Sequence, residues 1–220
     1  MSLEDKVKDK KSEGFIKKSL KLGYSLGLAG VTTALSMSMI GTTGVFIGGA
    51  LAAGTALGHA IRKTKSSYTN LVDSLKTYAN INAIITPVLK VWDWAIPLIP
   101  NETIYGKIGR GIFASTAFNA YFEGMYKGAQ HLIDNYLNPK GIVKSVKNNF
   151  YNIWKRSAIG FSPAYTIAAN GPTAIFGIPT FAHNALGLGL YAGLYPIKVK
   201  ENYKSNAPAY GGSLPAPAHA

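Results

Sequence analysis

Hydrophobic and polar positions along this chain segregate into long blocks. From Leu22 to Ile61 forty consecutive residues include no Asp, Glu, Lys or Arg, and Lys17, Lys18, Lys21, Arg62, Lys63 and Lys65 fence the block. A helix rises about 1.5 Å per residue, so one straight helix of that length would run roughly 60 Å, about twice the hydrocarbon thickness of a bilayer. Two antiparallel arms fit better, 22–38 and 43–61, with the turn at 39–42. A second charge-free block, 157–197, is fenced by Lys155 and Arg156 on one side and Lys198, Lys200 and Lys204 on the other. It holds Pro163, Pro172 and Pro179 together with Asn170-Gly171-Pro172, so its first arm is expected to be broken, whereas 181–195 forms a cleaner second arm.

Between the blocks the pattern is helical. Leu71, Leu75, Tyr78, Ile85, Trp92 and Ile96 recur at steps of three, four or their sums, and Pro87 is expected to kink that helix or end it at Thr86. A second pattern runs over 103–137 through Ile104, Ile108, Ile112, Phe118, Phe122, Met125 and Leu132, and Asn138-Pro139-Lys140-Gly141 closes it as a turn. The two middle helices either cross the bilayer or lie at its surface. The fold expected is therefore all-α, a multi-pass transmembrane helical bundle of four to six spans with amphipathic and interfacial helices. Five segments follow: an amphipathic N-terminal helix, 1–21, opened by a capping box at Ser2 and Asp5; hairpin 1, 22–61; the middle helices, 62–156; hairpin 2, 157–197; and a tail, 198–220. From Ser205 the tail is uncharged and rich in Pro, Ala, Gly and Ser, a composition expected to stay disordered unless a neighbouring subunit holds it.

Small residues are spaced, not scattered. Gly23 and Gly27, Gly44 and Gly48, the series Ala50, Gly54 and Gly58, and the series Ala185, Gly189 and Gly193 all repeat at four residues. That interval makes a flat groove on one helix face, which in lipid permits close backbone contact. Its partner is the other arm, another subunit or a second copy of the chain. Trp92, Trp94 and Trp154, with Lys155 and Arg156, have the order of an aromatic belt followed by cations and are expected at the membrane interface.

Charge sharpens this picture. The net charge is +13 with only 15% of residues charged, and the cations cluster at the block ends, so both termini are expected on the cytoplasmic side or its equivalent, a virion interior. Such a basic face attracts anionic lipid, or nucleic acid without sequence preference. The absence of cysteine excludes disulfides, thiol nucleophiles and thiolate metal sites.

Candidate chemistry is sparse. Gly187-Leu188-Gly189 lacks the strand and acidic partner of a dinucleotide loop. In Gly160-Phe161-Ser162-Pro163-Ala164 the residue after the serine has no N–H to donate, which excludes a nucleophile elbow. His59, His131, His183 and His219 include no pair at metal-ligand spacing, although His59 and His183 lie in the two hairpins, where a shared metal or proton site would require them to meet. Asn101-Glu102-Thr103 is a glycosylation sequon. Glu123 and Lys127, four apart in the favourable order, form a possible intramembrane ion pair. No catalytic, cofactor or metal site is expected. The function expected is that of a non-enzymatic structural or assembly subunit of a membrane complex or virion envelope, bound to the lipid bilayer and to other subunits. One alternative is a channel or transporter with a path lined by 161–180 and Glu123. The other is a membrane-anchored nucleic-acid-binding or membrane-remodelling protein.

Overall fold

The computed structural model describes residues 3–63, 65–148 and 150–194, with side chains from residue 14 onward. The tail, 198–220, the side chains of the N-terminal amphipathic stripe before residue 14, and His219 lie outside these residues. The chain is all-α apart from one two-stranded hairpin. Its helices are α1 (Leu3–Ile40), α2 (Thr43–Ile61), α3 (Ser67–Ala95), α4 (Ile104–Phe113), α5 (Asn119–Asp134), α6 (Ile142–Lys147), α7 (Phe150–Gly160), α8 (Ser162–Asn170) and α9 (Thr180–Leu194). A π-helical segment, Ala114–Phe118, joins α4 to α5 without a break, so the helix expected over 103–137 is one rod with a wider turn in its middle. Thr103 caps that rod by accepting from the Gly106 N–H at 3.1 Å.

Contacts between the rods fix their directions. α1 and α3 run in parallel, with Tyr68 donating to the Lys18 carbonyl at 2.6 Å and Thr33 donating to the Tyr78 hydroxyl at 3.0 Å. α2 runs against α3, since Asn70 reaches the Ala56 carbonyl at 2.9 Å while Gly44, at the other end, meets Ile85. α5 also runs against α3, with Lys76 on Asp134 at one end and Trp92 on Phe118 at the other. α7 and α8 run against α5 and α4, and α9 returns beside α8. The chain thus traverses the bundle six times, alternating in direction. One end of the bundle collects the connections 62–66 and 135–149, with Arg62, Lys63, Lys65, Lys140, Lys144 and Lys147 and no acid. The other collects 41–42, 96–103 and 171–179, whose one charged residue is Glu102.

The turn of hairpin 1 falls at Gly41, whose φ of +63° is open to glycine at no steric cost. Its two arms touch only lightly, however; α1 packs mainly on α3, and α2 packs on α3 and, most extensively, on α9. The glycines explain why. A Cβ on Gly58 would stand 2.7 Å from the Gly193 Cα, and one on Gly193 would stand 2.8 Å from the Gly58 Cα. One turn earlier, a Cβ on Gly54 would meet the Leu190 nitrogen at 2.8 Å and one on Gly189 the Thr55 nitrogen at 2.9 Å. The two grooves therefore interlock backbone to backbone, and hairpin 1 is joined to hairpin 2 inside one chain. Gly48 instead seats α2 on α3 against Tyr78 and Asn82, and Gly44 lies between Ser36 of α1 and Ile85 of α3. Ala50 and Ala185 pack in or against the main core. Gly23 and Gly27 pack on neither the other arm nor the rest of the chain: a Cβ on either would meet nothing within 4 Å, because that face of α1 points outward.

Three further expectations change. α3 does not end at Thr86 but continues through Pro87 to Ala95, its buried face Ile81, Ile84, Ile85 and Val88 held by the core on both sides of the proline. Trp92 is not an interfacial anchor. It is 7% exposed, and its ring meets Phe118 and Phe181 edge-on at 4.7 and 4.6 Å, since its position on α3 falls on the buried stripe. Trp94, two residues on and 69% exposed, faces outward. In hairpin 2 the first arm is broken, as its prolines predict, into α7 and α8 at Phe161; strands β1 (Ala174–Ile175) and β2 (Ile178–Pro179) then turn the chain through Phe176 and Gly177, both at positive φ.

Polar side chains are buried alongside the apolar core, and large apolar side chains are exposed on the outer helix faces. Ser25, Ser36, Asn80, Asn82, Asn119 and Glu123 are buried, whereas Leu26, Val31, Leu35, Met39, Phe46 and Leu57 on the outer faces of α1 and α2 are exposed. Among the described residues one helix, α2, is long and apolar enough by length and composition to cross a membrane, and only 39% of its apolar window is buried inside the bundle.

The glycine seam makes a direct prediction. Gly58→Val should destabilise the purified protein by about 1 to 3 kcal/mol through forced separation of α2 and α9, whereas Gly27→Ala should be neutral or stabilising by up to about 1 kcal/mol through helix propensity. Thermal or denaturant unfolding, with both variants measured side by side, checks this; equal effects would contradict it.

Candidate functional site

Helix irregularities meet where α4, α5, α7 and α8 cross. The π segment widens one rod, and opposite it the chain leaves α7 and re-enters helix at Ser162. π segments and broken helices expose backbone groups that a regular helix would satisfy. Side chains fill that need. The Trp154 indole N–H donates to the Thr116 carbonyl inside the π segment at 2.9 Å. Asn119, fully buried, accepts from the Ser157 hydroxyl at 3.0 Å and the Tyr165 hydroxyl at 2.8 Å, and its amide group reaches the Trp154 carbonyl at 3.5 Å. One side chain thus ties α5 to both halves of the broken arm. Trp154 is half-buried in this network and not a free interfacial ring, while Lys155 and Arg156 after it are exposed.

Above the network, toward the cationic end, lies a cavity of about 450 Å³ walled by α2, α3, α5, α7 and α9. That volume is in the ordinary range for small-molecule sites. Thr55 and His59 enter it from α2; Asp73, Lys76, Thr77 and Asn80 from α3; Glu123, Tyr126, Lys127 and Asp134 from α5; Arg156 and Ser157 from α7; and Tyr191 and Ala192 from α9. Lys65 pairs with Asp73, and Lys76 pairs with Asp134 at 2.8 Å; these partly exposed pairs lie at the cationic end. Glu123, buried, and Ser157 mark its depth. A second, apolar void of about 50 Å³ continues below, sharing Leu51, Phe122, Phe161 and Leu188 with the first and closed by Phe118, Phe181, Ile81 and Ile85. The larger space is thus a vestibule toward the cationic end that mixes ionisable, polar and apolar side chains, with the apolar void on its other side.

The structure brings Glu123 and Lys127 to one cavity but not into an ion pair. Lys127 donates instead to the Gln130 side chain at 3.0 Å. Gln130 lies one turn nearer the cationic end and Glu123 one turn deeper, so the ammonium extends toward the cationic end while the carboxylate stays at depth. His59 and His183 do not meet. α2 and α9 are parallel, which leaves His59 near the cationic end and His183 at the start of α9, where its ring contacts the Ile175 carbonyl at 3.1 Å. Asn119, Ser157 and Tyr165, the centre of the network, carry no motif in the sequence; the signal available was a buried-face Asn beside prolines that break the opposite arm.

Replacing Asn119 by Leu should orphan the Ser157 and Tyr165 hydroxyls together, with a loss of about 1 to 3 kcal/mol, and Ser157→Ala should cost less because Tyr165 still holds Asn119. Unfolding measurements on the two variants check the order; a larger loss for Ser157→Ala would contradict it. Compared with known proteins, the chain stands apart: no family model matches, and no significant match is found among the curated proteins or the solved structures.

Proposed function

We propose that this chain is a multi-pass integral membrane protein of the channel or transporter class, crossing the bilayer six times and holding a polar solute cavity open on the cytoplasmic or virion-interior side. The observation that carries the proposal is the pairing of an apolar exterior with a polar vestibule. Lipid accepts Leu, Val, Met and Phe outside, and in its absence of water buried Asn, Ser and Thr serve as interhelical contacts. An ionisable residue inside such a bundle marks a pathway more often than a scaffold, because its desolvation is costly. Glu123 is such a residue and faces the cavity. Connections with six cations and no acid at one end, against one acid at the other, give the orientation by the positive-inside rule. The broken arm α7–α8 and the π segment supply the hinges that opening of the apolar plug requires, since irregular backbone at membrane depth is tolerated where it lines a cavity.

A second reading, a structural subunit of a larger membrane assembly, is favoured by one feature. The outward face of α1 carries Gly23, Gly27 and Gly30 with nothing within 4 Å of a Cβ on any of them, a face fit for another helix. The other glycine grooves, by contrast, are occupied within the chain.

Reconstituted into liposomes, the protein should raise permeability to small polar solutes above that of protein-free vesicles. Ala192→Trp, which fills the vestibule from α9 without touching the Asn119 network, should reduce that flux by at least about tenfold, a barrier change of about 1.4 kcal/mol. Flux indistinguishable from empty liposomes, or flux unaffected by the plug, would overturn the transport reading and leave assembly as the better one.

A further inference from the structure

Among the described residues Glu123 is the one acidic side chain that the fold buries, and each of its charge states has a partner. Ser157 of α7 is hydrogen-bonded to its carboxyl group, and Lys127, one turn nearer the cationic end, faces it as a counter-charge. The Ser157 hydroxyl, however, already donates to Asn119 at 3.0 Å. A serine hydroxyl carries one hydrogen, so it cannot donate to Asn119 and to a Glu123 carboxylate together. Both contacts close at once when Glu123 carries a proton: its O–H donates to Ser157, and Ser157 donates to Asn119. An ionised Glu123 draws the serine hydrogen to itself, since a charged acceptor makes the stronger bond, and leaves Asn119 with Tyr165. Ser157 then ties α7 to α5 by one bond instead of two.

The groups around Glu123 leave it as the one that changes state. On α3, Asp73 is engaged by Lys65 and Lys76 by Asp134, all toward the cationic end. On α5 itself Lys127 donates to Gln130, and Tyr126 adds a hydroxyl. His59 of α2 and Tyr191 of α9 line the same cavity, Tyr165 of α8 stands below, and Arg156 of α7 is exposed at the level of Ser157. α6 meets α5 beyond Lys127, at Gly128. None of these sets a second carboxylate beside Glu123. We propose that Glu123 is a reversible proton-binding site, loaded from water through the vestibule, and that the bound proton locks α7 onto α5. The proton comes from hydronium at the cationic end, forms an O–H bond on a Glu123 carboxylate oxygen and returns to water by the same path. Its departure leaves the carboxylate facing Lys127 and loosens the broken arm α7–α8. A buried carboxyl group in a membrane bundle is suited to this relay, because both of its states are held by the protein and the charge it gains or loses is felt at short range.

The inference rests on the solute-cavity reading for its purpose, but its test needs no transport. Infrared spectra of the purified full chain, stepped from about pH 4 to about pH 9, follow the C=O stretch of a protonated carboxyl group, which a carboxylate lacks. The unsubstituted protein should show such a band, with the ratio of acid to carboxylate falling about tenfold per pH unit through its midpoint. Glu123→Gln should lose that band and still fold, because its amide donates to Ser157 as the protonated acid does. Should it fail to fold, Glu123→Asp should keep a band at a shifted wavenumber. Ser157→Ala, which removes the acceptor of the Glu123 O–H, should move the band to higher wavenumber. A band that Glu123→Gln leaves in place, or that Glu123→Asp leaves unshifted, would overturn the assignment to Glu123. A band present at every pH, or at none, would overturn reversible binding, and a band unmoved by Ser157→Ala would overturn the lock on α7. A titrating Glu123 band without flux in liposomes would retire transport and leave the proton site standing, whereas flux without the band would retire the site alone.

Discussion

Gly54 and Gly58 of α2 lie backbone to backbone against Gly189 and Gly193 of α9, the most extensive packing between two helices in the bundle. In the membrane placement proposed above, apolar side chains gain nothing from leaving lipid for one another, so helices associate through close packing, which small residues allow. This seam fastens two charge-free stretches separated by roughly a hundred residues of sequence. It also makes α2 and α9 parallel, which places the middle helices between them and leaves room on one side for the vestibule. With a side chain at any of the four positions the seam would part, and the α2 and α9 walls of the cavity would part with it.

The second constraint is polar. The π segment of the α4–α5 rod and the break between α7 and α8 each disturb regular backbone pairing, and they face each other across Asn119. One amide side chain with Ser157, Tyr165 and Trp154 resolves both irregularities and forms the floor on which the vestibule stands. Buried networks of this kind are stable when fully satisfied and costly when partly so. Glu123, one turn above Asn119, therefore sits on a rigid base, buried beside Ser157 at the edge of the cavity. Rigidity below and charge above is the arrangement that a selective site needs.

Much of the architecture was legible in the spacing of charges. The two cation-fenced blocks, the turn near Gly41, the rod over 104–134, the break in hairpin 2 and the four-residue glycine repeats all follow from local rules of helix length, proline and small-residue spacing. What local rules do not carry is partner choice. The repeat at Gly54 and Gly58 is the same motif as that at Gly23 and Gly27, yet one is sealed by α9 and the other faces outward. Trp92 and Trp94 differ by two positions and stand on opposite sides of α3, a distinction set by which stripe meets Phe118 and Phe181. Glu123 and Lys127 were recognisable as a pair by spacing, but their separation depends on Gln130 and on the cavity between five helices. The site itself, assembled from single residues on distant segments, has no motif to announce it.

The proposed membrane placement requires a fixed direction for each of the six passes of the chain. The cysteine-free chain allows single thiols at Thr42, Asn101 and Thr173, at one end of the bundle, and at Lys63, Asn138 and Asn148, at the other. Sided labelling of intact cells or sealed vesicles with a membrane-impermeant maleimide measures which end each occupies. The first three should be labelled from one face only and the second three only from the opposite face, with the protein retained in the membrane after carbonate extraction. Labelling of any of the first three from the same face as the cationic set, or release of the protein by carbonate, would contradict it.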